Sequence, residues 1–351
     1  MFELFQVNES QGRAVLASMN TVLTLEGQQA PSELELRTLS AIAKTMFHLD
    51  VDIQSLPSSF PSDLAAQIDT EELQHEVLHF CALLPFLSVD NEAERMALVG
   101  VMAEKFGVSD TTVAELTKLA HGKKLRFAAH TARDSSTLTS KSSLGTAWGM
   151  LKGKLHLDGD KTLREKFEGY LKLPSDTLGH QMALYYTDNE FGFPGTPGEW
   201  ASNTLYRHDF HHVLAGYPTT PLGEMCVVAF ESGHQGNSEN DLMSTAVYTL
   251  LELQLGIDPF GTQSEAVWKN QFEPDAFFRA FERGGKVTGD IFDLDFDMHS
   301  IMSEKIADVR ARCGIETEGS LVQINEDKWC GEMGVVSERS SPDLISQGKI
   351  L

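Results

Sequence analysis

"GRAVLASMNTVLTLEG" (Gly12–Gly27) places apolar side chains at Val15, Leu16, Met19, Val22 and Leu23, in steps of three and four. That is the repeat of a helix with one apolar face, not the two-residue alternation of a strand. The next stretch, "APSELELRTLSAIAKTMFHL" (Ala30–Leu49), follows the same design. Ser32 precedes Glu35 by three residues, the spacing of a reciprocal N-terminal cap. Leu36, Leu39, Ile42, Ala43 and Met46 continue as a stripe. The pattern returns in "EVLHFCALLPFLSVDNEAERMALVGVMAEKFGVS" (Glu76–Ser109), an apolar helix, an acidic turn and a second apolar helix. Two hairpins of like design pack as one small bundle, each covering the other's apolar face.

The same reading extends to the rest of the 351 residues. "KTLREKFEGYLKLP" (Lys161–Pro174) reads as a helix stopped at proline. "ENDLMSTAVYTLLELQLGI" (Glu239–Ile257) carries Leu242, Ala246, Leu250, Leu253 and Leu255 on or near one face. "PDAFFRAFERGGKV" (Pro274–Val287) begins with proline and ends at Gly-Gly. "IMSEKIADVRARCGI" (Ile301–Ile315) has Gly314 as its terminator. No stretch alternates as a strand does. The expected fold class is all-α, with two helical domains, as this length favours. Residues 1–122 form the first, 123–160 a Ser/Gly/Lys-rich linker, 161–315 the second, and 316–351 a polar tail.

Composition narrows the function. Lys and Arg total 28 against 51 Asp and Glu, a net charge of -23. So acidic a surface repels phosphate backbones, which argues against nucleic acid as a partner. The cysteines Cys81, Cys226, Cys313 and Cys330 are scattered, with no CxxC pair and no disulfide framework. "MFELFQVNES" has neither a basic region nor an apolar run of the secretory kind. No apolar run approaches the roughly 20 residues of a membrane span. The expectation is a cytoplasmic chain with no transmembrane segment.

The chemistry concentrates in "HDFHHVLAGYPTTPLGE" (His208–Glu224). His208 and His212 are four apart and share a helix face, so both imidazoles can reach one ion. Asp209 lies about 100° around the helix and approaches from the side. Gly216 and Pro218 turn the chain, and Glu224 falls in the first turn of a second helix. If that helix packs back antiparallel, its carboxylate closes the site. Two imidazoles and two carboxylates suit zinc, and also iron or manganese. The competing reading is a solvent-facing polar patch, with Asp209 and Glu224 as caps. Against it, Glu224 is flanked by Leu222 and by Met225-Cys226-Val227-Val228, where an unpartnered carboxylate is costly to bury. The HExxH pattern needs glutamate where Asp209 stands, and a hydrolase of the HD class needs a further histidine and aspartate. Tyr206 and His211 are near in sequence and are expected on the surface.

Two resemblances follow from these residues. The N-terminal hairpins resemble the TerB-like domains of tellurite-resistance proteins. Glu26-Gly27 with Glu33, and Asp90 with Glu92 and Glu94, stand at the family's acidic turns, while Glu26 replaces its aspartate and Asn91 its second glycine. The alternative role of these acids is to favour the helix dipole. The spacing HD, two residues, H, eleven residues, E, met by His208, Asp209, His212 and Glu224, is similar to the signature of the coenzyme Q biosynthesis protein four family. "LPSDTLGHQMALYY" (Leu173–Tyr186), "FFRAFERGGKV" (Phe277–Val287) and "DFDMHSIMSEKIADVRARCGI" (Asp295–Ile315) also resemble it, so the likeness spans about 161–315.

The resemblance implies a helical protein whose four motif residues bind a divalent metal, zinc first. It implies ubiquinone biosynthesis, an isoprenoid or prenylated aromatic lipid as ligand, biosynthetic protein partners and a position peripheral to the inner membrane face. The reaction implied is oxidative decarboxylation of a ring carboxyl. A homo-oligomer is expected. Two other readings stay open: a non-enzymatic lipid-binding scaffold with a structural metal, and a metal-dependent hydrolase.

Overall fold

The computed structural model describes residues 3–88, 90–121, 155–235, 272–293 and 295–321. The helix read at 239–257, most of the 123–160 linker, the end of the polar tail and Cys330 lie outside them. The fold is all-α. Among the described residues the extended pairing is a single bridge, Thr177 with Lys305.

The described α-helices run in chain order. They are α1 (Glu9–Thr24), α2 (Glu33–Thr45), α3 (Leu64–Gln67), α4 (Glu71–Leu83), α5 (Glu92–Phe106) and α6 (Thr111–Ala120). Then come α7 (Lys161–Tyr170), α8 (Leu178–Asp188), α9 (Trp200–Ala215), α10 (Pro221–Gln235), α11 (Pro274–Gly285) and α12 (Ile306–Arg312). No described helix is long and apolar enough to cross a membrane. Two compact units emerge, Met1–Thr131 with Ser232–Gly285, and Ala132–Glu231 with Lys286–Leu351. They interleave along the chain, so α11 belongs with the N-terminal helices.

In the first unit, the α1 stripe of Val15, Leu16, Met19, Val22 and Leu23 is fully buried. Ser32 and Glu35 cap α2 reciprocally, as their spacing requires. Glu35 has a second partner: its carboxylate meets Arg95 at 2.7 Å, and both side chains are buried. Arg95 also donates to the Leu23 carbonyl at 3.0 Å. One guanidinium thus ties the end of α1, the start of α2 and the first turn of α5. Burying that charge is tolerable only because several acceptors surround it. The apolar core continues through Phe80, which meets Phe281 of α11 edge-on at 5.1 Å.

In the second unit, the Thr-Leu-Gly of "LPSDTLG" has a mechanical role. Thr177 caps α8. Leu178 and Gly179 donate backbone N–H groups to Glu304 and Met302 at 2.9 and 2.8 Å. A side chain on Gly179 would meet the Met302 carbonyl at 2.7 Å, so only glycine lets the segments approach. Arg310 of α12 donates to the Leu214 and Val213 carbonyls at 2.8 and 3.1 Å, closing the C-terminal end of α9.

Candidate metal centre

The site lies within the second unit, on α9 and α10. Gly216 ends α9 in the left-handed conformation, φ 75°. A Cβ on Gly223 would fall 1.8 Å from the Pro218 carbonyl, so this glycine lets the first turn of α10 fold tightly onto the connecting loop. Glu224 follows it and faces α9.

Three donor atoms converge. His208 Nε2 and His212 Nε2 are 3.2 Å apart. Each is 3.3 Å from Glu224 Oε2. Two ligands on a tetrahedral ion with bonds of about 2.0–2.1 Å stand about 3.3 Å from each other. The three atoms therefore fit one triangular face of such a tetrahedron. The His208 side chain is 24% exposed and that of Glu224 29%, while His212 is fully buried. The open side of the triangle is where a fourth ligand would enter.

The far nitrogens fix the rings. His212 Nδ1 is 2.9 Å from the Tyr217 carbonyl, which can only accept, so Nδ1 carries the proton. His208 Nδ1 is 3.0 Å from Glu231 Oε1. Both arrangements leave Nε2 facing the triangle, as the outer partners of a ligating imidazole do. Glu231 Oε1 also meets His211 Nδ1 at 2.6 Å.

Electrostatics agree with this geometry. Burial pushes the Glu224 and Glu231 carboxyls up, but the facing imidazoles outweigh it and hold both far below the carboxylate range. Burial pulls His208 down, yet Glu231 and Glu224 raise it well above the ordinary imidazole range. With a proton on each nitrogen, His208 bridges two carboxylates. A cation at Nε2 would replace one of those protons.

Asp209 is placed differently from the sequence expectation. The structure brings His208, His212 and Glu224 together as a ligand group without it. Its Oδ1 accepts from Tyr185 at 2.9 Å and its Oδ2 from Tyr186 at 2.6 Å. The 100° step around α9 turns it toward α8. Burial raises its pKa despite both tyrosine hydrogen bonds. It anchors α9 to α8. The expectation of a surface His211 is likewise corrected: the residue is buried, with its ring centroid 4.5 Å from that of Phe292. Tyr206 is half-buried and stacks on His299 at 6.3 Å.

Glu231 escaped the sequence reading. Its signal was present, seven residues after Glu224 and so two turns along the same face. The acidic turn residues Glu26, Glu33, Asp90, Glu92 and Glu94 form no ligand group among the described residues. Asn91 instead takes the left-handed conformation, φ 66°, that a glycine would favour. No protein-family model, curated protein or solved structure matches this chain.

Proposed function

We propose that this protein binds a divalent ion through His208, His212 and Glu224 and acts on a prenylated aromatic carboxylate, replacing the ring carboxyl by hydroxyl. The carboxyl leaves as carbon dioxide, water supplies the hydroxyl oxygen, and dioxygen takes up the two electrons and two protons released and leaves as hydrogen peroxide. The observation that carries the metal reading is the triangle of donor atoms, with edges of 3.2, 3.3 and 3.3 Å. The substrate class rests on the resemblance of the His208–Glu224 spacing and of "LPSDTLG". A bound ion would supply Lewis acidity to the substrate carboxylate. The chain's own residues have defined parts. Glu231 and the Tyr217 carbonyl hold the ring tautomers. Asp209, with Tyr185 and Tyr186, holds α9 in register with α8. The exposed edges of His208 and Glu224 leave the approach for the substrate head group.

A hydrolase requires a free carboxylate beside the metal to act as base. Asp209 and Glu231, the carboxylates next to the triangle, are both engaged by two donors each. This weighs against the hydrolase reading. The test is metal content and turnover together. Wild type should carry a divalent ion stoichiometrically and convert a prenylated 4-hydroxybenzoate under air. Glu224→Ala should still bind that lipid and form no product. Product formation undiminished in Glu224→Ala, or no metal at any loading of wild type, would sink the proposal.

A further inference from the structure

A second cluster of metal-ligating side chains lies in the first unit. His75 and His79 are one turn apart on the same face of α4. Asp110 is the N-cap of α6, and its Oδ1 accepts from the Val113 N–H at 2.8 Å. Its other oxygen, Oδ2, stands 2.6 Å from His75 Nδ1 and 2.8 Å from His79 Nε2. One carboxylate oxygen thus faces two imidazole nitrogens, and the cap bond stops the carboxylate from rotating away. The Asp110 side chain is 4% exposed, that of His79 18% and that of His75 32%.

Burial grades across the cluster, from a covered anion to a ring that reaches solvent. A buried carboxylate in a folded chain is paired or coordinates a metal. Two imidazoles and one carboxylate, all able to face one point, are a donor set of the zinc class. The O–N separations are shorter than the roughly 3.3 Å between ligands on a tetrahedral ion. An ion would therefore spread the donors by about half an ångström, which the half-exposed His75 ring can accommodate. A water would complete the coordination on the solvent side.

We infer that His75, His79 and Asp110 form a second binding site for a zinc-class divalent ion, which links α4 to the start of α6. This site shares no residue with the α9–α10 centre and stands without it.

The experiment measures zinc bound per full-length chain after chelator treatment and reloading, together with the melting temperature. His75→Ala/His79→Ala should lose about one ion relative to wild type, and so should His212→Ala, through the other site. In His212→Ala, the zinc that remains should raise the melting temperature, and adding His75→Ala/His79→Ala should abolish that rise. Asp110→Asn serves where the double variant does not fold, because asparagine keeps the cap while losing the anionic ligand. Its zinc affinity in the His212→Ala background should fall at least about tenfold. Zinc content and affinity unchanged in His75→Ala/His79→Ala or in Asp110→Asn would overturn the inference, as would no zinc bound by His212→Ala.

Discussion

His208 and Glu231 meet at 3.0 Å on the side of the imidazole facing away from Glu224. The contact commits Nδ1 of His208 and leaves Nε2 for the α9–α10 centre. We predict that Glu231→Ala keeps the three donors yet lowers metal affinity by about 10–100-fold, the usual cost of removing an outer partner of a ligating histidine. Competition with a chromogenic chelator measures it. An affinity within twofold of wild type would show that Glu231 does not orient the ring.

Asp209 is the member of the four-residue motif that stands outside the converging donor triangle. Asp209→Asn should keep the metal stoichiometry of wild type. It should nonetheless lower stability by about 1–3 kcal/mol, because one of two buried tyrosine hydroxyls loses its acceptor. Elemental analysis and chemical denaturation give the two readouts. Loss of the ion in a folded Asp209→Asn chain would restore Asp209 to the ligand set.

Arg95 and Glu35 form a buried pair in the first unit, at 2.7 Å. Removing one partner strands a charge, so Arg95→Met should cost about 3–5 kcal/mol. Arg95→Met/Glu35→Met removes both charges and should recover part of that loss. Urea melts of the two variants and wild type test the sign. A double variant less stable than the single would contradict this account.

Glu76 supplies a pH dependence. Burial raises its carboxyl to about 7 from 4.5, although the Leu4 and Glu3 N–H groups bond to it and pull the other way. A raised folded-state pKa means that the folded chain holds the proton more tightly than the unfolded one. The resulting stabilisation is complete below about 4.5 and is lost as pH rises through about 7. The loss over that window is roughly 3 kcal/mol, at about 1.4 kcal/mol per pKa unit. A carbon-13 titration of the Glu76 carboxyl should show its midpoint near 7. A midpoint near 4.5 would remove the effect.

Much of the architecture is legible in the sequence. The stripe from Val15 to Leu23 specified α1 and its buried face, and Ser32 with Glu35 specified the start of α2. These are local signals, because helix period and capping depend on neighbours within a few residues. Pro274 and Gly284-Gly285 likewise marked α11, but nothing in its own residues indicated that it belongs with the N-terminal helices. The His208–Glu224 spacing identified three side chains that do converge.

What remained hidden depends on non-local partners. Tyr185 and Tyr186, more than twenty residues upstream, donate to both oxygens of Asp209, and nothing near Asp209 in the chain announces it. Glu231 needed the return of α10 to His208, and Asp110 needed its approach to a helix that ends well before it in the chain. The sequence by itself determined which segments are helical and which faces are apolar, because those follow from residue type and spacing. Only the tertiary structure decided which nitrogen and oxygen atoms face one another, because a carboxylate's partners are set by the packing of distant helices.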